Sequence, residues 1–295
     1  MATGAGTRQL DPGQSTRVWT WTRGDTEPSL VFESSTGLFE APNWLADGTL
    51  LLNGDGDLHL LDPSGALTTV PIDGAPPFNN DHVPAPDGRL IYASANDGQL
   101  YAVSLADATA SRLTTGEPPG LMHFLHGVSP DGTRLAFVGL EPDGDNPWGP
   151  STIFTVAKDG TDYRRLTDGS AKVDGCEYSP DGGWIYYNTE EFDGHAQIAR
   201  MRPDGTGVEQ LTFDDRVNWF PHLCPDGRFA SYIAFPPGTE GHPPNVWVEI
   251  RHVELPNWNR ATTVARVFGG QGSFNVNSWR ADSTAFAFVS YPPGD

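Results

Sequence analysis

Apolar residues fall along this chain in short alternating runs that Gly, Pro and Asp cut off. Arg134–Val138 reads Arg-Leu-Ala-Phe-Val, Trp184–Asn188 reads Trp-Ile-Tyr-Tyr-Asn, and Arg228–Ile233 reads Arg-Phe-Ala-Ser-Tyr-Ile. Branched and aromatic residues at period two, bounded by turn formers, predict β-strands. No long stretch places apolar residues at i, i+3 and i+4, as an amphipathic helix would. The 34 Gly and 26 Pro would interrupt such a helix in most windows.

The runs recur in a fixed order around one turn phrase. It reads Leu45-Ala46-Asp47-Gly48, Ala85-Pro86-Asp87-Gly88, Ser129-Pro130-Asp131-Gly132, Ser179-Pro180-Asp181-Gly182 and Cys224-Pro225-Asp226-Gly227, with a decayed copy at Arg280-Ala281-Asp282-Ser283. The Asp positions 47, 87, 131, 181, 226 and 282 are 40, 44, 50, 45 and 56 residues apart. Asp-Gly suits a hairpin, because Gly takes positive φ freely and Asp tolerates it. After each turn comes an apolar run, then a second run such as Gln99–Val103, Thr152–Val156 or Gln197–Met201. A further turn follows, as Lys158-Asp159-Gly160 or Pro203-Asp204-Gly205, and a third run ends on Leu113-Thr114, Leu166-Thr167 or Leu211-Thr212. The segment before each Asp-Gly supplies a fourth strand.

Four short antiparallel strands every forty-odd residues make one propeller blade. The predicted fold is all-β, a six-bladed β-propeller of four-stranded antiparallel blades. Runs at Arg17–Thr22 and Ser29–Phe32 precede the first repeat, and runs at Phe274–Trp279 and Thr284–Val289 follow the last full one. The last blade is therefore expected to close with strands from both termini, which leaves no open ring edge. Residues 16–295 read as one domain, and the Gly/Thr-rich residues 1–15 as a disordered N-terminus.

Charge narrows the partners. With 18 Lys and Arg against 38 Asp and Glu, the formal charge is −20. That argues against nucleic acid and anionic membrane surfaces, and favours a cation, a metal or a neutral polar molecule. No apolar stretch is long enough to span a bilayer, and no secretion signal stands at the N-terminus, so a cytoplasmic location is expected. A ring closed by its own termini is expected to be a monomer. Cys176 and Cys224 are expected to be buried free thiols.

The blade phrase resembles the TolB-like propeller family, in its Ser-Pro-Asp-Gly turn, aromatic strand, Ile/Leu-Tyr strand, Asp-Gly and Leu-Thr. Residues 175–212 match almost throughout, and the resemblance extends over about 16–290. It implies six blades and, for some members, a protein-interaction role. The same blade is similar, more distantly, to that of oligogalacturonate lyases, which implies a metal in the central channel.

In a propeller the strand before each Asp-Gly turn lines the channel. Counted from the turn Asp, His82 and His126 stand at minus five and His222 at minus four. Acids and amides fill neighbouring positions. The expected ligand-binding set is Glu40, Asn43, Asp81, His82, His126, Asp174, Glu177, Trp219, His222 and Gln271. Imidazoles with an amide or carboxylate suit a divalent metal, so His82, His126, His222 and Gln271 are the candidate metal ligands. A bulge would have to bring His222 into step, since a one-residue shift turns a strand side chain to the other face. Phe39, Trp219, Phe220 and Phe274 lie beside these positions and are candidate sugar-stacking rings. An enzyme of this kind would be a metal-assisted lyase or hydrolase acting on carbohydrate, with His82, His126 and His222 as candidates for catalysis. The alternative is a non-catalytic protein–protein interaction scaffold. Two insertions, 141–150 and 235–244, are candidate rims, and Asp143 and Asp145 hint weakly at calcium without the length of a true calcium loop.

Overall fold

The computed structural model describes residues 8–115, 119–144 and 149–294. Residues 145–148 of the first insertion, Asp145 and Trp148 among them, and residues 1–7 of the N-terminal stretch lie outside the described residues. Five blades each form a four-stranded antiparallel sheet in chain order. Their innermost strands are Glu40–Trp44, Phe78–Pro84, Met122–Val128, Val173–Tyr178 and Val217–Leu223, in blades 1 to 5. The sixth blade is closed by both ends of the chain. Thr16–Thr22 pairs with Ser29–Ser34 on its outer side and with Ala285–Ser290 on its inner side. One short 3-10 helix, Trp258–Arg260, is the only helix among the described residues, and none there is long and apolar enough to cross a membrane.

The innermost position of blade 6 departs from the expected regular strand. Segment 274–279 keeps one bridge, Trp279 to Phe286. Serine hydroxyls replace ladder bonds there. Ser278 Oγ accepts from Ala287 N–H at 3.2 Å and donates to the Ala287 carbonyl, and Ser273 Oγ accepts from Gly270 N–H at 3.1 Å.

The repeat phrase does the same local work in every blade. The turn Asp accepts a hydrogen bond from the backbone N–H two residues on, at 2.9–3.0 Å in all six copies. The following Gly takes φ between 67° and 90° in the five full copies, a region a Cβ disfavours. Six apolar clusters fill the molecule, one between each pair of adjacent blades. Leu51 and Ile91 join blades 1 and 2, Phe137 and Tyr92 blades 2 and 3, and Phe286 and Trp219 blades 5 and 6. Both cysteines are free and buried.

Each of the five innermost strands carries a register shift near its start. Ala41, Gly175 and Phe220 sit at positive φ in three of these bulges. A bulge re-aims the side chains on either side of it, and here it decides which of them meet around the axis.

Candidate functional site

The bulges divide the axial residues into two levels. At the mouth stand Glu40, Asp81 and Asp174 of the inner strands of blades 1, 2 and 4. Further along lie Asn43, His82, Glu177 and His222.

At the mouth, Asp174 gathers two imidazoles. His126 Nε2 lies 2.8 Å from Asp174 Oδ1, and His242 Nε2 lies 3.5 Å from Oδ2. Asp174 Oδ1 also accepts from Gly175 N–H at 2.8 Å. Burial pulls the His126 pKa down, but the Asp174 charge and hydrogen bond, with Asp81 beyond, outweigh it and push it up to about 9. Burial raises Asp174, yet the His126 charge and bond and the His242 contact outweigh burial and hold it well below the usual carboxylate range. His126 is thus a cation at neutral pH.

Asp81 stands beside this pair and is different. Only 4 % of it is exposed, and its carboxylate makes no hydrogen bond to a described residue. Burial raises its pKa, His126 opposes, and the charges of Asp174 and Glu40 raise it again, to about 6. Three buried ring nitrogens of this group have no hydrogen-bond partner among the described residues, His126 Nδ1, His242 Nδ1 and Trp219 Nε1. Rings of Trp219 and Phe220 flank His242 at 4.4 and 5.2 Å between centroids, and Phe220 stacks on His126 at 5.7 Å.

On the other side of the mouth, Glu40 is buried against Arg8. Arg8 Nη1 lies 3.0 Å from Glu40 Oε1, and Asn80 Nδ2 donates to Oε2 at 3.4 Å. Burial raises the Glu40 pKa and Arg8 opposes it. The side chain of Gln271 is occupied by Asn275, whose Nδ2 donates to Gln271 Oε1 at 3.1 Å.

At the second level the side chains pair across blades. His82 Nδ1 donates to Asn43 Oδ1 at 2.6 Å, and its Nε2 is buried without a partner. Burial draws the His82 pKa down to about 3, so the ring is neutral. His222 Nδ1 meets Glu177 Oε2 at 2.8 Å, and Nε2 meets the Phe274 carbonyl at 3.0 Å. Glu177 Oε1 accepts from Asn277 Nδ2 at 2.7 Å and from Leu223 N–H at 3.0 Å.

The expected single histidine constellation therefore resolves into three separate pairs. His82 goes with Asn43, His126 with Asp174 and His222 with Glu177. Both nitrogens of His222 already face acceptors, and the Gln271 amide is engaged. No three or more His, Cys, Asp or Glu among the described residues come together as a metal-holding group. The metal set His82, His126, His222 and Gln271 does not fit a divalent ion in this arrangement. The bulge that was needed to bring His222 into step is present, but it aligns His222 with Glu177, which shares its offset of minus four, rather than with the other histidines. The stacking rings are also closed off. Trp219, Phe220, Phe39 and Phe274 are at most 8 % exposed and belong to the inter-blade clusters.

Two participants escaped the reading of the repeat, His242 and Arg8. Each occurs once, one in the 235–244 insertion and one in the stretch expected to be disordered. A lone His between Gly241 and Pro243 in an insertion was the available signal for the first.

No protein-family model matches the chain. An uncharacterised protein of Agrobacterium fabrum is 36 % identical over 275 residues, 91 % of this chain and 90 % of that protein. A solved structure from Agrobacterium tumefaciens, carrying a provisional TolB name, superimposes with a TM-score of 0.86 at 31 % identity, covering 95 % of this chain and 99 % of that one. An oligogalacturonate lyase in complex with manganese shares the fold, with a TM-score of 0.57 at 12 % identity over 95 % of this chain and 78 % of the lyase.

Proposed function

The chain belongs to the TolB-like six-bladed β-propeller family, and from that premise we propose that its axial mouth binds a small hydroxyl-bearing ligand, a saccharide or polyol. Asp81 carries this reading. A carboxylate on a residue only 4 % exposed, given no donor by the described residues, is open to a donor that enters the channel. A ligand hydroxyl is such a donor. His242 Nδ1 and Trp219 Nε1 are buried polar atoms without a partner among the described residues, on rings 4.4 Å apart. His126 places a positive charge that favours ionised Asp81, against burial and the charges of Asp174 and Glu40.

The reading calls for binding without chemistry, because no nucleophile–base pair stands free in the mouth among the described residues. The alternative, a protein-interaction scaffold, draws support from Leu30 and Val31. They lie adjacent and exposed (45 % and 39 %) on the outer edge strand of blade 6.

Calorimetric titration of neutral hexoses, sugar alcohols and uronic acids tests the proposal, with Asp81→Asn as the control. A binder should lose about tenfold or more in affinity on Asp81→Asn, the weight of a hydrogen bond to a charged group. Its affinity should also weaken below about pH 6, as Asp81 takes up a proton. Equal binding by both proteins, or no binder in the panel, would move the weight to the scaffold reading and to partner capture on the blade 6 edge.

A further inference from the structure

The contacts of Arg8 are those of a bound ligand. Its Nη1 donates to Glu40 Oε1 at 3.0 Å and to the Gln271 carbonyl, and its Nη2 donates to Asn245 Oδ1 at 3.4 Å. The guanidinium carbon lies 4.3 Å over the Tyr291 ring. Tyr291 is fully buried, and its hydroxyl donates to the Phe39 carbonyl at 3.0 Å, which locks the ring in place. Carboxylate, carbonyl, amide oxygen and aromatic face around one planar fork are the set that a guanidinium uses and an ammonium does not.

The cradle is built from separate parts of the molecule. Glu40 comes from blade 1, Asn245 from blade 5, and Gln271 and Tyr291 from the segments that flank blade 6. Gly272 makes room for it, since a Cβ there would overlap the Glu40 carboxylate. Asn245 holds a positive φ of 60°, uncommon for a residue with a side chain. Its amide bridges the cradle to the strap that carries Arg8, donating to Asp11 Oδ2 at 2.7 Å and accepting from Gln14 Nε2 at 3.0 Å. A buried ion pair adds little to stability over an apolar filling, so neutralising Glu40 is a weak reason for such a cradle.

We propose that the Glu40–Tyr291–Asn245–Gln271 cradle is a guanidinium-recognition site, occupied in this state by the chain's own Arg8 and able to accept an arginine side chain presented by a peptide in its place. The chain's charge of −20 favours the approach of such a ligand. The strap competes with it as a tethered occupant, at an effective concentration on the order of millimolar. This site does not depend on the Asp81 reading.

The test titrates methylguanidinium, methylammonium and N-acetyl-arginine amide into the wild-type chain and into Arg8→Ala. The vacated cradle should bind methylguanidinium and the arginine amide, with affinity about tenfold or more above that of the wild type. Methylammonium should bind about tenfold more weakly, for lack of a fork. Adding Glu40→Gln to Arg8→Ala should abolish binding. If Arg8→Ala does not fold, Arg8→Lys takes its place, and the same ranking is expected. A folded variant that binds no guanidinium compound, or one that binds methylammonium equally, overturns the proposal. So does binding that survives Glu40→Gln.

Discussion

Ser283 stands where the five full copies of the turn carry Gly, and its backbone takes the same left-handed conformation, with φ of 60°. Its hydroxyl explains why. Ser283 Oγ accepts from the Asp226 N–H at 2.9 Å, so the decayed turn of blade 6 is tied to the turn of blade 5. Ser283→Ala keeps the strained backbone and loses the bond, and should cost about 1 kcal/mol. Ser283→Gly loses the bond but relieves strain of about 1 kcal/mol, so it should be close to neutral. Urea melts of the two variants compare them directly, and a larger loss for Gly than for Ala would refute this account. The turns were legible in the sequence because the residues that make them are chain neighbours. The axial pairs were not. His82 and His126 share an offset and His222 stands one residue away, but bulges set by pairing with the next strand send each to a different partner. Glu40, Asp81 and Asp174 were named from their places before the repeated turns, while Arg8 and His242 belong to no repeat and so carried no periodic signal.

Among the elements, the closing blade concentrates the most risk. Its central strand, Thr16–Thr22, joins a strand near the start of the chain to one near its end, through six partners from Arg17–Ser290 to Thr22–Ala285. Val18 sits at its buried centre, packed with Ala287, Val289 and Leu52 between blades 6 and 1. Val18→Asp would place an unpaired charge there and should cost about 3–5 kcal/mol. Val31→Asp, on the exposed edge of the same blade, should stay within about 0.5 kcal/mol. Equal losses in denaturant midpoint would mean that blade 6 is not held through this interface. The presence of this blade could be read from the paired runs at the two ends. Its irregular innermost segment could not, since Ser273 and Ser278 substitute side-chain bonds for a ladder that their neighbours' apolar pattern still suggests.

For the molecule as a whole, buried titrating groups set opposing slopes in stability. Burial holds His82 at about 3, and His123 and His252 at about 4, all below the ordinary histidine value of 6.5. The unfolded chain binds these protons more readily, so their contribution is present above about pH 6.5 and is lost as pH falls toward 3–4. Asp174, depressed by His126, loses its contribution on the acid side too. Asp81, raised to about 6, acts against them, because its contribution is lost as pH rises from about 4 to 6. His126, raised to about 9, contributes below pH 6.5 and loses that contribution as pH rises through 9. Stability should therefore peak near pH 6–7, and His126→Gln should flatten the alkaline slope. Urea midpoints at pH 4, 6.5 and 9 check this, and a steady rise to pH 9 would contradict it. Closure by both ends also has a consequence during synthesis. The inner partner of strand Thr16–Thr22, Ala285–Ser290, is made about 260 residues after it. At about 5–20 residues per second the wait is on the order of 10–50 s. Through that interval the nascent chain carries a strand, bearing Trp19 and Trp21, that is open along its inner edge, so the ring completes only once Ala285–Ser290 has emerged, and chaperone capture of that edge is the step that synthesis rate would govern.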